Sequence, residues 1–256
     1  MKLVKTLTTL LLGASLIFNI AVVNAAQDNQ FNPKQKTAIQ KIVHEYIVTN
    51  PEVLVEASRA LQQKQQQNMV QNARQAIQAN AKQLFNNQSP VAGNKQGKVN
   101  LVEFFDYQCI HCKQMVGVIG GLIKTNSDLR VVYKEFPIFG PNSQYAAAAA
   151  LAANKQGKYH ALHNALMAEK NKLNKDSVLR IAKKVGLDTE QLQKDMKDPA
   201  IKKELEANLD LAKKLGLGGT PAFVVAANPL KDAMKAFFVP GAASQAMLQG
   251  LIKQAQ

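Results

Sequence analysis

Apolar residues along the chain change period several times, and each change marks an element. Ile39, Ile42, Val43, Tyr46 and Ile47 recur at helical spacing, which predicts an amphipathic helix over 35–48. Asn50-Pro51-Glu52 then restarts the helix, with Asn50 suited to the cap, Pro51 to the first turn and Glu52 to the positive dipole end. Residues 53–84 contain neither Gly nor Pro and are mostly Ala, Gln, Leu, Lys and Arg, so a long helix is favoured over a low-complexity Gln-rich linker. Its apolar stripe (Leu54, Ala57, Leu61, Met69, Ala73, Ile77) is thin, and a second copy of the chain is the simplest surface to cover it.

Turn formers crowd residues 86–97, where a domain boundary is placed. A compact apolar run over 99–105 then reads as a buried strand, and 113–119 as the start of a helix. A second strand is predicted over 129–136. Residues 143–215 are helical throughout, with caps assigned to Asp176-Ser177 and Asp188 and a last helix over 199–215. Two short strands, 222–226 and 236–239, and a helix capped by Ser244 close the chain. Strand, helix, strand, helical block, two strands, helix is the order of an α/β, thioredoxin-like core with an inserted helical domain, preceded here by an N-terminal helical segment. The expected organisation is 1–25 leader, 26–88 helical oligomerisation segment and 89–256 thioredoxin domain, with the insertion at about 143–215.

The start of the chain adds an address. Lys2 and Lys5 precede an apolar stretch over 7–23, and Val23-Asn24-Ala25 supplies small residues for cleavage. This is the layout of a secretory signal peptide. The alternative is an uncleaved anchor, disfavoured because Thr8, Thr9, Ser15 and Asn19 dilute the stretch. Export to the periplasm is expected, with association at the outer membrane left open.

Composition then narrows the classes. A hydrophobic content of 46% is ordinary for a globular core. The net charge is +14; residues 1–25 carry Lys2 and Lys5 and no acid, so the remainder keeps +12. The lysines fall in helical doublets such as Lys183-Lys184 and Lys213-Lys214, the pattern of a solvated face. No basic stretch carries interleaved aromatics, so nucleic acid is not expected as a partner.

Export also changes how cysteine is read. A disulfide-stapled secreted chain has many cysteines at long spacings, whereas this one has Cys109 and Cys112 alone. A bridge over so short a loop removes little chain entropy, so the pair points to chemistry. Cysteines at i and i+3 at the start of a helix lie on one side of its first turn. The first meets unpaired N–H groups and the helix dipole, which stabilise an attacking thiolate, and the second resolves the mixed disulfide. His111, between them, can add positive charge or a hydrogen bond. The rival readings are half a zinc site and a structural bridge. No other cysteine exists, and His44, His160 and His163 are scattered, so no metal is expected. Glu103, a carboxylate inside an apolar strand six residues before Cys109, is suited to shuttling a proton for Cys112, unless it faces solvent at a sheet edge. Thr220-Pro221 ahead of an apolar strand fits a tight turn and a cis peptide.

The segment Leu101-Val102-Glu103-Phe104-Phe105 through Cys109-Ile110-His111-Cys112 resembles the active-site segment of the bacterial DsbA-family disulfide oxidoreductases. Gly219-Thr220-Pro221 resembles that family's cis-proline loop, and Val239-Pro240-Gly241-Ala242 its last core strand. The resemblance spans about 99–256. It implies a protein disulfide oxidoreductase with Cys109 and Cys112 as redox pair, Glu103 and His111 tuning them, and Thr220 and Pro221 binding substrate backbone. Ile-His replaces the usual Pro-His, and Thr precedes the proline as in the isomerases of the wider group. Residues 49–54 resemble the helical oligomerisation segment ahead of some DsbA-like domains, which implies a homo-oligomer, a dimer or trimer with the dimer favoured. The implied substrates are exported proteins with cysteines, served by an oxidising or reducing partner protein and no organic cofactor. A pure oxidase is the rival enzyme, and a chaperone-like surface protein with an incidental redox pair is the rival from another class.

Overall fold

The computed structural model describes residues 31–86 and 88–256, so the expected leader lies outside the described residues. Two compact units meet in sequence at Ser58–Arg59.

The first contains α1 (Pro33–Thr49) and the opening of α2 (Glu52–Ala79). Asn32 caps α1 through a reciprocal box: its Oδ1 accepts from Gln35 N and Gln35 Oε1 accepts from Asn32 N, both at 2.9 Å. Asn50 closes α1 by donating its backbone N–H to Tyr46 O (2.9 Å), and Pro51 starts the next turn. No residue of α1 is buried; Ile42 is 65% and Tyr46 56% exposed.

The second unit is built on a five-stranded sheet. Its elements, after the rest of α2, are α3 (Ala81–Leu84), β1 (Val91–Gly93), β2 (Val99–Phe105), α4 (Ile110–Thr125) and β3 (Leu129–Glu135). The helical insertion follows as α5 (Pro141–Ala153), α6 (Tyr159–Ala168), α7 (Lys175–Lys184), α8 (Thr189–Asp195) and α9 (Pro199–Lys214). β4 (Ala222–Ala227), β5 (Ala236–Pro240) and α10 (Gln245–Ala255) complete it. The strands lie in the order β1-β3-β2-β4-β5, with β2 parallel to β3 and every other pair antiparallel. A thioredoxin-like core with a helical insertion is therefore present.

Strand alternation divides two cores. Val99, Leu101 and Phe105 of β2, Val131 and Tyr133 of β3, and Phe223 and Val225 of β4 face a large core shared with α4, α5, α6, α7 and α10. Val102, Phe104, Val132, Val224 and Ala226 face a smaller core closed by Ile77 of α2, Leu84 of α3 and Leu211 of α9. With both faces covered, β2 reads as one continuous apolar run in sequence. On the smaller face two cations of β3 are buried. Lys134 donates from Nζ to Gln83 O (2.9 Å) and Ser89 Oγ (2.7 Å), while Arg130 reaches Asn100 Oδ1 (2.9 Å) and Asn86 O (3.0 Å). These bonds satisfy carbonyls at the end of α3, the groups a helix C-terminus leaves open. Burial pulls the Lys134 ammonium down to about 8.

Three local expectations change. The cap of α7 is Asn174, whose Oδ1 accepts from Ser177 N (2.8 Å), and Ser177 returns the bond from the third helical position instead of starting the helix. Strand β1 is new; three edge residues are too few to show a period. Helix α4 runs to Thr125 through Gly117, Gly120 and Gly121, because buried Met115, Ile119 and Leu122 hold it against glycine's entropy.

Candidate functional site

The site begins where β2 stops. Asp106 breaks the strand by accepting three bonds in its carboxyl group: Oδ1 from Gln108 N (2.8 Å) and Ser143 Oγ (2.7 Å), and Oδ2 from Phe139 N (3.0 Å). Its backbone carbonyl accepts from Cys109 N (3.1 Å). The loop is thereby tied to the start of α5 and to the turn after β3, and Cys109 is delivered to the N-cap of α4 in extended conformation. Removing this carboxyl group strands a buried hydroxyl and two backbone N–H groups. Asp106→Ala is expected to cost about 3 kcal/mol of stability, read as a lower denaturant midpoint at constant m-value.

Both cysteines are free thiols. Cys109 is 5% exposed and Cys112, one turn further in, is fully buried. Ile110 and His111 between them face solvent, and His111 Nδ1 lies 3.4 Å from Gln114 Oε1. The opposite wall comes from β4. Because β4 runs antiparallel to β2, with Ala222 opposite Phe104, the start of β4 arrives beside the end of β2. Thr220-Pro221 there is a cis peptide, and the Cys109 thiol donates to Thr220 O at 3.3 Å. Residues 111 positions apart in sequence are joined by that bond.

Glu103 lies mid-strand in central β2, opposite Tyr133 and Phe223, and is 2% exposed. The solvent-facing alternative is therefore removed. Burial, and next the electrostatic influence of Cys109, push its carboxyl up to about 8. Burial also pushes the Cys112 thiol well above its ordinary value, with Glu103 and Cys109 adding to the rise. Glu103, Cys109, Cys112, Thr220 and Pro221 thus gather at one end of the sheet, while His111 stays on the rim.

Sequence reasoning missed a further buried acid in the sheet. Glu135, at the end of β3, is 1% exposed, and its Oε1 accepts from Tyr107 OH (2.9 Å) and Tyr159 OH (2.8 Å) while buried Oε2 has no hydrogen-bond partner among the described residues. Tyr107 OH also lies 3.1 Å from His163 Nδ1, and the His163 ring stacks on Tyr159 at 5.7 Å. Burial raises Glu135 well above the carboxylate range despite its two tyrosine bonds, and lowers His163 to about 3. The signal was the one that exposed Glu103: a carboxylate inside an apolar strand. His163 packs in the core as a neutral ring, and exposed His160 approaches Val91 O at 2.9 Å.

The model of the DSBA-like thioredoxin domain matches residues 100–253, and that of the copper resistance protein ScsC N-terminal domain matches residues 35–68. Among solved structures, BcfH of Salmonella enterica Typhimurium is 34% identical, covers 87% of this chain and 96% of its own, and superposes with a TM-score of 0.77. A thioredoxin-like oxidoreductase of Silicibacter pomeroyi DSS-3 is 46% identical over 68% of this chain and 96% of its own (TM-score 0.63). Proteus mirabilis ScsC in a transitional conformation is 32% identical over 88% and 98% (TM-score 0.62). A curated relative, Na(+)/H(+) antiporter NhaA 3 of Salinispora tropica, is 29% identical over 137 residues, 53% of this chain; the chain covers 21% of that protein's length.

Proposed function

The chain belongs to the DsbA-like thioredoxin family, and from that premise we propose that it exchanges disulfides in exported proteins through Cys109 and Cys112. The observation that carries this reading is the bond from the Cys109 thiol to Thr220 O, at a helix cap, with Cys112 buried one turn below.

The chemistry follows from the two thiols' different surroundings. A substrate thiolate attacks Cys109 of the Cys109–Cys112 disulfide; the S–S bond breaks and Cys112 leaves with the electron pair. Burial makes that thiolate costly, so it must gain a proton, and Glu103, which holds one up to about pH 8, supplies it. A second substrate thiolate then displaces Cys109, and the substrate leaves oxidised. Isomerisation starts from the reduced pair: Cys109 attacks a wrong disulfide, and either a substrate thiol or Cys112 resolves the mixed disulfide. Thr220 and Pro221 hold the substrate backbone, and exposed His111, beside Cys109, tunes its thiol. The partner that resets the pair is a second redox protein, oxidising or reducing.

The ScsC-type match over 35–68 and the exposed Ile42, Tyr46, Leu54 and Leu61 support a homo-oligomer built on the helical segment 26–88. Residues 89–256, with the insertion at about 143–215, form the redox domain. The protein works in the periplasm, with residues 1–25 as its leader.

Reactivation of scrambled ribonuclease tests the finer assignment. Recovery of activity under mildly reducing conditions is the expected result. Oxidation of reduced ribonuclease without recovery of the scrambled form would make the protein a plain oxidase.

A further inference from the structure

The helical insertion holds a hollow of about 660 Å³ between α5, the end of α8 and α9. Tyr145, Met196, Leu205 and Leu209 give it an apolar lining, and Leu209 is 40% exposed. Lys175, Lys197 and Lys202 stand around it, against a single acid, Glu206. That acid already has a partner, since Lys202 Nζ lies 3.7 Å from Glu206 Oε1. Lys175 is held over the Tyr145 ring, 5.8 Å from its centroid.

One loop borders both this hollow and the redox site. Pro137 and Pro141 line it, and between them Ile138 and Phe139 are 38% and 53% exposed. Phe139 in turn lines a second hollow with Gln108 and Ile110, next to Cys109. The loop does not drift between the two, because Phe139 N is fixed by Asp106 Oδ2 at 3.0 Å. Lys113, Lys170 and Lys172 edge this second hollow. Six lysines and one glutamate therefore flank a path that starts beside Cys109, crosses the exposed Ile138 and Phe139, and ends in the apolar hollow.

We infer that this path is a docking groove for an acidic amphipathic segment of the polypeptides that exchange disulfides at Cys109. The proposal rests on the exchange reading above and adds a preference of substrate or redox partner. An apolar segment alone would fill the floor and leave every one of these lysines but Lys202 without a salt bridge among the described residues. Carboxylates at the edges of the same segment meet them, and charge matching of this kind gives specificity and on-rate. A polypeptide is preferred to a lipid because the path leads to the sulfur at which a polypeptide must react.

The test uses fluorescence anisotropy with the full reduced chain and two labelled peptides. One carries Leu and Glu at helical spacing, and the other has Lys in place of each Glu. The acidic peptide is expected to bind about tenfold tighter, the worth of two or three exposed ion pairs. The double variant Lys197→Glu/Lys202→Glu should lose that preference, and Leu209→Asp should weaken binding of the acidic peptide. All three positions are exposed, so the fold is not at stake. A control, Lys124→Glu/Lys253→Glu, makes the same charge change on α4 and α10 and should keep the preference. Equal binding of the two peptides, or equal loss in the control, overturns the proposal. So does binding to anionic phospholipid vesicles without preference between the peptides, which would make the groove a lipid site. Exchange of a small-molecule disulfide by the wild-type protein, measured in parallel, separates the two readings. Its absence sinks the exchange assignment, whereas exchange without peptide preference sinks the groove alone.

Discussion

Cys109→Ser is expected to abolish disulfide exchange, with rates falling by about a thousandfold or more. An alkoxide is not available near neutral pH and a hydroxyl forms no mixed disulfide, so the whole covalent route is lost. Stability should change little, because Ser fills nearly the same space and its hydroxyl can still donate to Thr220 O, as the thiol does at 3.3 Å. The measurement is turnover of a fluorogenic disulfide substrate beside a thermal melt. Cys112→Ser differs in kind: attack by Cys109 continues, and a long-lived mixed disulfide should accumulate, visible as a mass shift under non-reducing conditions. A chaperone-like binder with an incidental redox pair predicts the opposite pattern, with partner affinity unchanged in Cys109→Ser. Retained exchange in that variant would remove Cys109 from the chemistry.

Glu103→Gln is expected to change how stability depends on pH. The folded carboxyl holds its proton up to about pH 8, whereas the same group has an ordinary value of 4.5. Between those values the native state binds a proton that the unfolded chain has released. Stability from this group is thus fully present below about 4.5, declines as pH rises through the window and is lost above 8. At about 1.4 kcal/mol per pH unit, the decline over this window is on the order of 5 kcal/mol. Gln keeps the volume and cannot ionise, so the variant should match the wild type near pH 4.5 and be the more stable protein at pH 8. Glu135 is raised in the same direction and stays in place, so part of the slope persists. Denaturant unfolding at intervals from acid to mildly alkaline pH reads this directly; parallel curves for the two proteins would show that Glu103 carries no displaced proton. The same substitution removes the acid assigned to Cys112, and opening of the Cys109–Cys112 disulfide by a substrate thiolate should slow by about tenfold or more. Faster or unchanged opening would leave Glu103 a structural acid only.

Both variants were conceivable from sequence, because Cys109, Cys112 and Glu103 break local patterns. A carboxylate in an apolar strand and two cysteines at a helix start are anomalies visible within a few residues. The same rule applied to residues 129–136 would have found Glu135, yet not its partners, since Tyr107 and Tyr159 come from two other segments. The long α2 was legible from composition, whereas the end of its stripe, assigned to a second copy, is buried within this chain, where Ile77 closes the smaller core.

What the sequence by itself determined is what short-range physics governs. The period of apolar residues set helix and strand, and Asn32, Asp188 and Ser244 set helix starts through bonds to backbone two or three residues on. The cysteine spacing set the pair on one turn. Only the tertiary structure decided which groups meet across the sheet: Thr220 O beside Cys109, the tyrosines on Glu135, and Lys134 at the end of α3. Those contacts depend on strand order and register, and the farthest of them, Cys109 to Thr220, joins residues 111 apart in sequence. They also set the burial that moves Glu103 and Cys112 from their ordinary values, because desolvation belongs to the packed interior and to no segment alone.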